Sequence, residues 1–379
     1  MDKNKIRILL GSTLFTESKG GGEIYCEYLM KALQTRGHEV KIISGKDIMR
    51  HNINEKNVEY IPELHRIWEI GRRSKGIKRS ILLNLHMLQC SFFMCKYLLE
   101  NKNKYDVIHA HDWITLKAGI IARIFTKKPV INTYHSHPPT LSIGEAKSSE
   151  YITTVSIETG EWLKKRGIKK LSRIPGAVDS GVFKQLDKED CKEKIGVSNR
   201  AIIYVGRMIK EKNVTTLLFA FKEASKKISD LTLLLVGAGP FENELRKITE
   251  EIGLNNVRFE GNIPHKTLPI YYNSSDLMVM PSDYEAYALV CLEAISCGIP
   301  VVLTSQAKSI IEKFEDGSFE VVNPRSVEDM SNAIIKCLEE TEHSKKLIKK
   351  STQGLKGHTW EDRAKIFEDI YWNSLFNLK

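Results

Sequence analysis

Residues 277–305 read "LMVMPSDYEAYALVCLEAISCGIPVVLTS". A short apolar run (277–282) leads into an acidic loop, Asp283 to Glu285. An apolar helix with Leu289, Leu292 and Ile295 follows, then a second short run, "PVVLTS" (300–305). Strand, helix and strand in that order make a parallel pair crossed by a helix. The same alternation extends outward in both directions. Strand-like runs recur at 6–10, 39–44, 106–110, 129–134, 151–156, 201–206, 231–237 and 257–261. Ile24, Tyr25, Tyr28, Leu29 and Leu33 keep helical spacing, and Gly37 ends that helix. Such alternation predicts an α/β architecture with parallel sheets covered on both faces.

The rhythm pauses between about 174 and 200. "IPGAVDSGVF" is punctuated by Pro and Gly, and "KQLDKEDCKEK" after it is highly charged. The 379 residues suit two domains. The expected division is 1–178, completed by a C-terminal helix at 360–379, and 179–359. That helix reads from Trp360 through Ala364, Phe367, Ile370 and Tyr371. Two such domains are expected to face each other across a cleft, with ligands beyond the carboxyl ends of the strands.

Seven cysteines with no C-x-x-C pair argue against a disulfide framework or a zinc site. The most apolar long stretch, Ile81 to Leu99, is interrupted by Asn84, His86, Gln89 and Lys96, so no membrane span is expected. The N-terminal apolar run is too short for a secretory signal, which implies a cytoplasmic protein. The net charge of +10 is unevenly placed. Residues 1–180 hold 30 Lys/Arg and 18 Asp/Glu, or +12, and 181–379 hold 27 and 29, or −2. Arg66 to Arg79 alone has six basic residues against Glu69. A patch of this kind meets nucleic acid, anionic lipid or an acidic substrate, or is a solvated helix face. No nucleic-acid motif accompanies it.

Three places carry candidate chemistry. Gly20, Gly21 and Gly22 open a helix after the first strand, where backbone amides attract anions. "YVGRMIKEKN" sets Arg207 at a strand end and Lys212 five residues on. Together they suit a diphosphate, Arg as a donor fork and Lys as a point charge. "LVGAGPFENEL" (235–245) is another strand running into a Gly-bearing loop, with Pro240 suited to a first helical turn. Glu285 precedes a helix N-terminus. Glu293 lies inside the helix, about 12 Å further if all eight steps were helical. An acid in so apolar a helix needs a partner. Backbone, a lysine or sugar hydroxyls would serve.

Taken together, Arg207, Lys212 and the E-x7-E pair resemble the retaining GT-B glycosyltransferases of the large group 1 class, family 4. The resemblance extends over nearly the whole chain. "GGGEIYCEYLMKALQTRGHEV" (20–40) resembles the family's first βαβ unit. "YDVIHAHDW" and "INTYHSH" resemble its strand ends, and "IPGAVDSGVF" its interdomain segment. The resemblance implies two Rossmann-like domains and a nucleotide-sugar donor held by the second. Arg207 and Lys212 would bind its diphosphate, and Glu293 its ribose. Glu285 and His135 would meet the transferred sugar as catalytic groups. Gly21, Gly22, Ala288 and Leu289 would approach the donor, and Ile263 would lie near its base. Asp112 would stand on the acceptor side.

The implied reaction retains anomeric configuration and needs neither cofactor nor metal, in keeping with the absence of a D-x-D site. Carbohydrate or lipid-linked acceptors are expected, with peripheral attachment of the basic first domain to an anionic inner membrane face and no nucleic-acid partner. Two departures bear on the donor. The family commonly has glycine at Ala288, and a Gly-Gly-x-x-Glu loop where this chain reads "TSQAKSIIE" (304–312). A GT-B-like sugar-nucleotide epimerase or hydrolase, and an inactive binding or scaffold subunit, stay open as alternatives.

Overall fold

The computed structural model describes residues 5–12, 20–44, 57–61, 77–136 and 143–376. The chain divides into two compact units, Met1–Gly176 with Trp360–Lys379, and Ala177–Thr359.

The first unit opens with β1 (Arg7–Gly11), α1 (Gly21–Thr35), β2 (Glu39–Ser44), β3 (Val58–Tyr60) and α2 (Ile77–Glu100). It continues with β4 (Val107–Ala110), α3 (Trp113–Thr126), β5 (Val130–Tyr134) and α4 (Ile143–Ser148). β6 (Tyr151–Thr154), α5 (Ile157–Lys164) and β7 (Leu171–Arg173) follow. All seven strands are parallel, in the order β3-β2-β1-β4-β5-β6-β7. β4 and β5 are buried along their whole length, as strands covered on both faces must be. In α1 the helically spaced Tyr25, Tyr28, Leu29 and Leu33 are buried, and Gly37 at φ 92° takes the left-handed turn that ends it.

The second unit holds α6 (Lys188–Ile195), β8 (Arg200–Val205), α7 (Val214–Ser225), β9 (Leu231–Val236) and α8 (Glu242–Glu251). Then come β10 (Val257–Gly261), α9 (Leu268–Asn273), β11 (Leu277–Met280), α10 (Leu289–Ser296) and β12 (Val301–Thr304). α11 (Lys308–Ile311), β13 (Glu320–Val322), α12 (Val327–Glu339) and α13 (Thr341–Gly354) complete it. Its parallel order is β10-β9-β8-β11-β12-β13. Leu217, Leu218 and Phe221 of α7 are fully buried in one core with Leu233 and Leu235 of β9 and Ile334 of α12.

α14 (Trp360–Phe376) returns to the first unit and packs on α1. Trp360 stacks on Tyr28 at 5.7 Å and meets Tyr25 edge-on at 5.1 Å. Arg36 pairs with Glu361 at 2.8 Å and with Glu368.

β3, β7 and β13 are absent from the strand-like runs of the sequence. Each has three residues and lies at a sheet edge, too short for a periodic signal. Among the described residues no helix is long and apolar enough to cross a membrane. The side chains of the basic run Arg66 to Arg79 lie outside the described residues.

Candidate active site

In each sheet the strand order reverses once, between β1 and β4 and between β8 and β11. Ligands of open α/β sheets bind beyond the carboxyl ends of the strands at such a reversal. In the second unit both candidate loops are there.

After β8 the chain passes through Gly206, Arg207 and Met208 into a 3-10 turn, Lys210–Lys212. This loop rests directly on the backbone of the loop after β9. The Met208 N–H donates to the Ala238 carbonyl at 3.0 Å, and Phe241 N–H to Met208 O at 3.0 Å. A Cβ on Gly237 (φ 124°) would lie 2.0 Å from Gly206 O, and one on Gly239 2.2 Å from Met208 O. The glycines of "VGAGP" therefore allow two backbones to touch and fix the Arg207 loop.

The loop after β11 is fastened to the same turn. Asp283 N–H donates to Glu211 O at 2.9 Å, and the Lys212 ammonium pairs with the Glu285 carboxylate. Both side chains are largely buried. Asn213, at φ 51°, donates through its amide to Pro281 O at 3.1 Å and Pro324 O at 2.7 Å. From the β12 side, Thr304 Oγ1 donates to Ser282 O at 2.6 Å. The Tyr204 hydroxyl donates to Arg207 O at 2.9 Å. Burial, then the Glu285 charge, push that phenol well above its ordinary value, with Arg207 acting the other way. Tyr204 thus senses Arg207 and Glu285 together, while the Arg207 side chain itself is exposed.

Glu293 is buried, at 4% exposure. Its partners are neither lysine nor backbone. His265 Nε2 meets Oε1 at 2.7 Å, and the Tyr272 hydroxyl donates to Oε2 at 3.0 Å. Burial, and after it the Glu293 carboxylate, raise the Tyr272 phenol well above its usual range and keep it a donor. His265 and Tyr272 carry no motif in a single sequence, so sequence reasoning missed both. Each carboxylate oxygen has capacity for one more hydrogen bond. Helix α10 begins only at Leu289, so just the second half of the Glu285–Glu293 interval is helical, and the all-helical spacing expected from the sequence does not apply.

Ala288 sits at φ −83°, ψ 83°, the centre of an inverse γ-turn, a common conformation whose negative φ does not demand glycine. The Leu289 N–H is already given to Tyr287 O at 3.1 Å. Ile263 is half-buried, two residues before His265. Lys308 is exposed at the start of α11, beside the β12 end.

In the first unit, His135 follows β5 and His111 follows β4. His111 Nδ1 lies 3.0 Å from His135 Nε2, and Tyr25 meets the His135 ring at 5.0 Å. A Cβ on Gly22 would lie 3.6 Å from that ring, so Gly21 and Gly22 start α1 beside His135. Behind them His109 is fully buried between the Tyr371 hydroxyl and Thr133 Oγ1, each at 2.7 Å. Burial lowers His135 to about 4 and His109 to about 3, and pushes His111 down as well. All three are neutral at physiological pH. Asp112 caps α3, accepting from Thr115 N–H at 2.8 Å.

Among the described residues, the possible metal ligands that come together are Cys26, His111 and His135, with ligand atoms within 4.8 Å. A metal would need the Cys26 thiolate, which burial opposes by raising that thiol. The two imidazoles already bond each other. The donor set suits a hydrogen-bonded cluster better than a metal cage.

Residues 187–354 match the family described as glycosyl transferases group 1, and residues 19–181 match glycosyltransferase family 4. An uncharacterized glycosyltransferase of Methanocaldococcus jannaschii is 26% identical, covering 93% of this chain and 94% of that protein. Glycogen synthase of Mycobacterium tuberculosis is 22% identical, over 93% and 91%. A D-inositol 3-phosphate glycosyltransferase of Catenulispora acidiphila is 26% identical, but over 54% of this chain and 57% of its own. Sucrose-phosphate synthase from Thermosynechococcus elongatus superposes with a TM-score of 0.79 at 21% identity, covering 99% and 100%. Anabaena HepE in complex with UDP and glucose superposes at 0.79 and 18% identity, covering 97% and 100%. These structures share the GT-B fold, two parallel-sheet α/β domains. With both units matched along their length, the chain belongs to the group 1, family 4 glycosyltransferases.

Proposed function

We propose that this glycosyltransferase takes a hexose from a nucleotide-sugar donor and transfers it, with retention and without a metal, to a carbohydrate or lipid-linked acceptor. The observation that carries the reading is the fastening of the Arg207–Lys212 turn to the Glu285 loop at the strand reversal of the second sheet. Departure of a nucleoside diphosphate concentrates negative charge on the leaving oxygens. An exposed Arg207 fork and the Lys212 ammonium stabilise that charge without reorganisation. Glu285, paired to Lys212, faces the developing positive charge of the sugar. Glu293, oriented by His265 and Tyr272, uses its remaining acceptor capacity on the ribose hydroxyls. The neutral His135 offers a hydrogen bond to the sugar without adding charge. Retention follows if the leaving diphosphate assists deprotonation of the acceptor on the same face.

The reading assigns the first unit to the acceptor, with Asp112 as a positioning residue through its cap of α3. The charge of +12 over residues 1–180 supports an anionic or membrane-borne acceptor. A panel of UDP-, GDP- and ADP-sugars tests the proposal. One class should stabilise the protein against heat and turn over with added acceptor, in the presence of a chelator. Product formation without acceptor would mark a hydrolase or epimerase instead.

A further inference from the structure

Helix α3 has only two charged residues in fourteen, Lys117 and Arg123. Its inner face, with Leu116, Ala118 and Ala122, is buried in the core of the first unit. Its outer face is apolar too. Ile121, Ile124 and Phe125 are 42%, 63% and 68% exposed. The adjoining α2 adds Leu88 and Phe92, four residues apart on one stripe and 54% and 66% exposed. Phe92 is braced edge-on by Phe93 at 5.6 Å. Five of the eleven exposed large hydrophobic side chains among the described residues thus fall on two neighbouring helices. A helix apolar on every side is ordinarily buried, and clustered exposed apolar surface marks an interaction face.

The surrounding charge says what meets it. Both helices return the chain between parallel strands, so they run in the same direction and end on the same side of the sheet. Lys96, paired at 3.9 Å with the exposed Glu100 one turn on, continues the Leu88–Phe92 stripe, Lys102 and Lys104 follow α2, and Lys127 caps α3. All four are exposed. A two-fold contact with its axis along the helices would set this lysine group against itself. An anionic bilayer instead accepts both the apolar centre and the basic margin.

We propose that the outer face of α2 and α3 docks on an anionic bilayer. Leu88, Phe92, Ile121, Ile124 and Phe125 enter the headgroup–acyl boundary, and the four lysines meet lipid phosphates. The surface shares no residue with the donor site, so its test is separate from that of glycosyl transfer.

Flotation of the full chain with vesicles of phosphatidylcholine, alone or mixed with phosphatidylglycerol, tests it. Recovery with the mixed vesicles should be high at low salt and fall as salt rises. An Ile124→Ser/Phe125→Ser variant should lose flotation while keeping its melting temperature and nucleotide-sugar stabilisation. Lys102→Gln/Lys127→Gln should weaken partitioning by about tenfold or more, from roughly 1 kcal/mol per basic residue near the surface. Equal recovery with neutral and anionic vesicles, or wild-type flotation of both variants, would overturn the proposal. So would a concentration-dependent dimer, seen by sedimentation, that the Ile124→Ser/Phe125→Ser variant abolishes. That outcome assigns the face to a second copy.

Discussion

The Lys212 ammonium and the Glu285 carboxylate form a largely buried ion pair between the loops that follow β8 and β11, neighbouring strands at the reversal of the second sheet. The pair joins two groups with different proposed tasks, one on the departing diphosphate and one on the sugar. It also fixes the rotamer of each before substrate arrives. Breaking a largely buried pair by removing one partner leaves the other uncompensated, so the two variants are expected to differ in kind.

Glu285→Gln removes a negative charge beside the diphosphate site while keeping the side-chain volume. Transfer should fall about 100- to 1,000-fold, the usual consequence of removing one charge-stabilising group. Affinity for the free nucleoside diphosphate should stay equal or rise. Lys212→Ala should lower that affinity about tenfold or more, as a hydrogen bond to a charged group is worth about 1.5–3 kcal/mol. Calorimetry and initial rates separate the two. Loss of diphosphate affinity in Glu285→Gln would contradict the assignment.

Tyr272→Phe leaves Glu293 Oε2 without its protein donor. Chemical denaturation should show a loss of about 1–3 kcal/mol. Glu293→Gln probes the ribose role. If Glu293 accepts the ribose hydroxyls, nucleoside affinity should drop about tenfold against a 2′,3′-dideoxy analogue whose affinity barely changes. An equal change for both ligands would leave Glu293 with packing alone.

Gly239→Ala puts a methyl group on Met208 O, and the Arg207 loop must shift to admit it. A cost of about 1–3 kcal/mol is expected, as for other overpacked sites. Diphosphate binding should weaken with it. Gly253→Ala, at φ 72° but in open space, provides a contrast. It should lower stability through backbone strain alone and leave diphosphate affinity unchanged.

The three neutral histidines make the protein acid-sensitive. Each has a folded-state value below the ordinary 6.5, so the unfolded chain binds more protons in this range. Their contribution is complete above about pH 6.5. It declines as pH falls toward about 4 for His135 and about 3 for His109. Buried His38 is lowered too and acts in the same sense. The slope is about 1.4 kcal/mol per pH unit for each such histidine. His109→Gln should reduce the slope of denaturation free energy between pH 4.5 and 6.5 by about that amount. The slope is readable even if the variant is less stable. An unchanged slope would mean that His109 is not held neutral by burial.

Much of the fold could be read from the chain because buried parallel strands and amphipathic helices have strong periodicities. The edge strands β3, β7 and β13 could not, since three residues carry none. At the site, Arg207, Lys212 and Glu285 stood out as charges at strand ends. Glu293 stood out as an acid in an apolar helix. Its partners did not, because His265 and Tyr272 reach it from 28 and 21 residues away and only folding brings them together. The concern over Ala288 came from a family preference, and the local dihedrals remove its steric basis. The glycines of "VGAGP" looked architectural, and their close contacts with the Arg207 loop make them part of the site's support.

The central claim is that the Arg207–Lys212 turn holds the diphosphate of a nucleotide-sugar donor. Thermal stabilisation by UDP-, GDP- and ADP-sugars, measured on the wild type and on Arg207→Ala/Lys212→Ala, tests it most directly. One nucleotide class should stabilise the wild type and leave the double variant unstabilised. Stabilisation by none of them, or equally in both proteins, would contradict the claim.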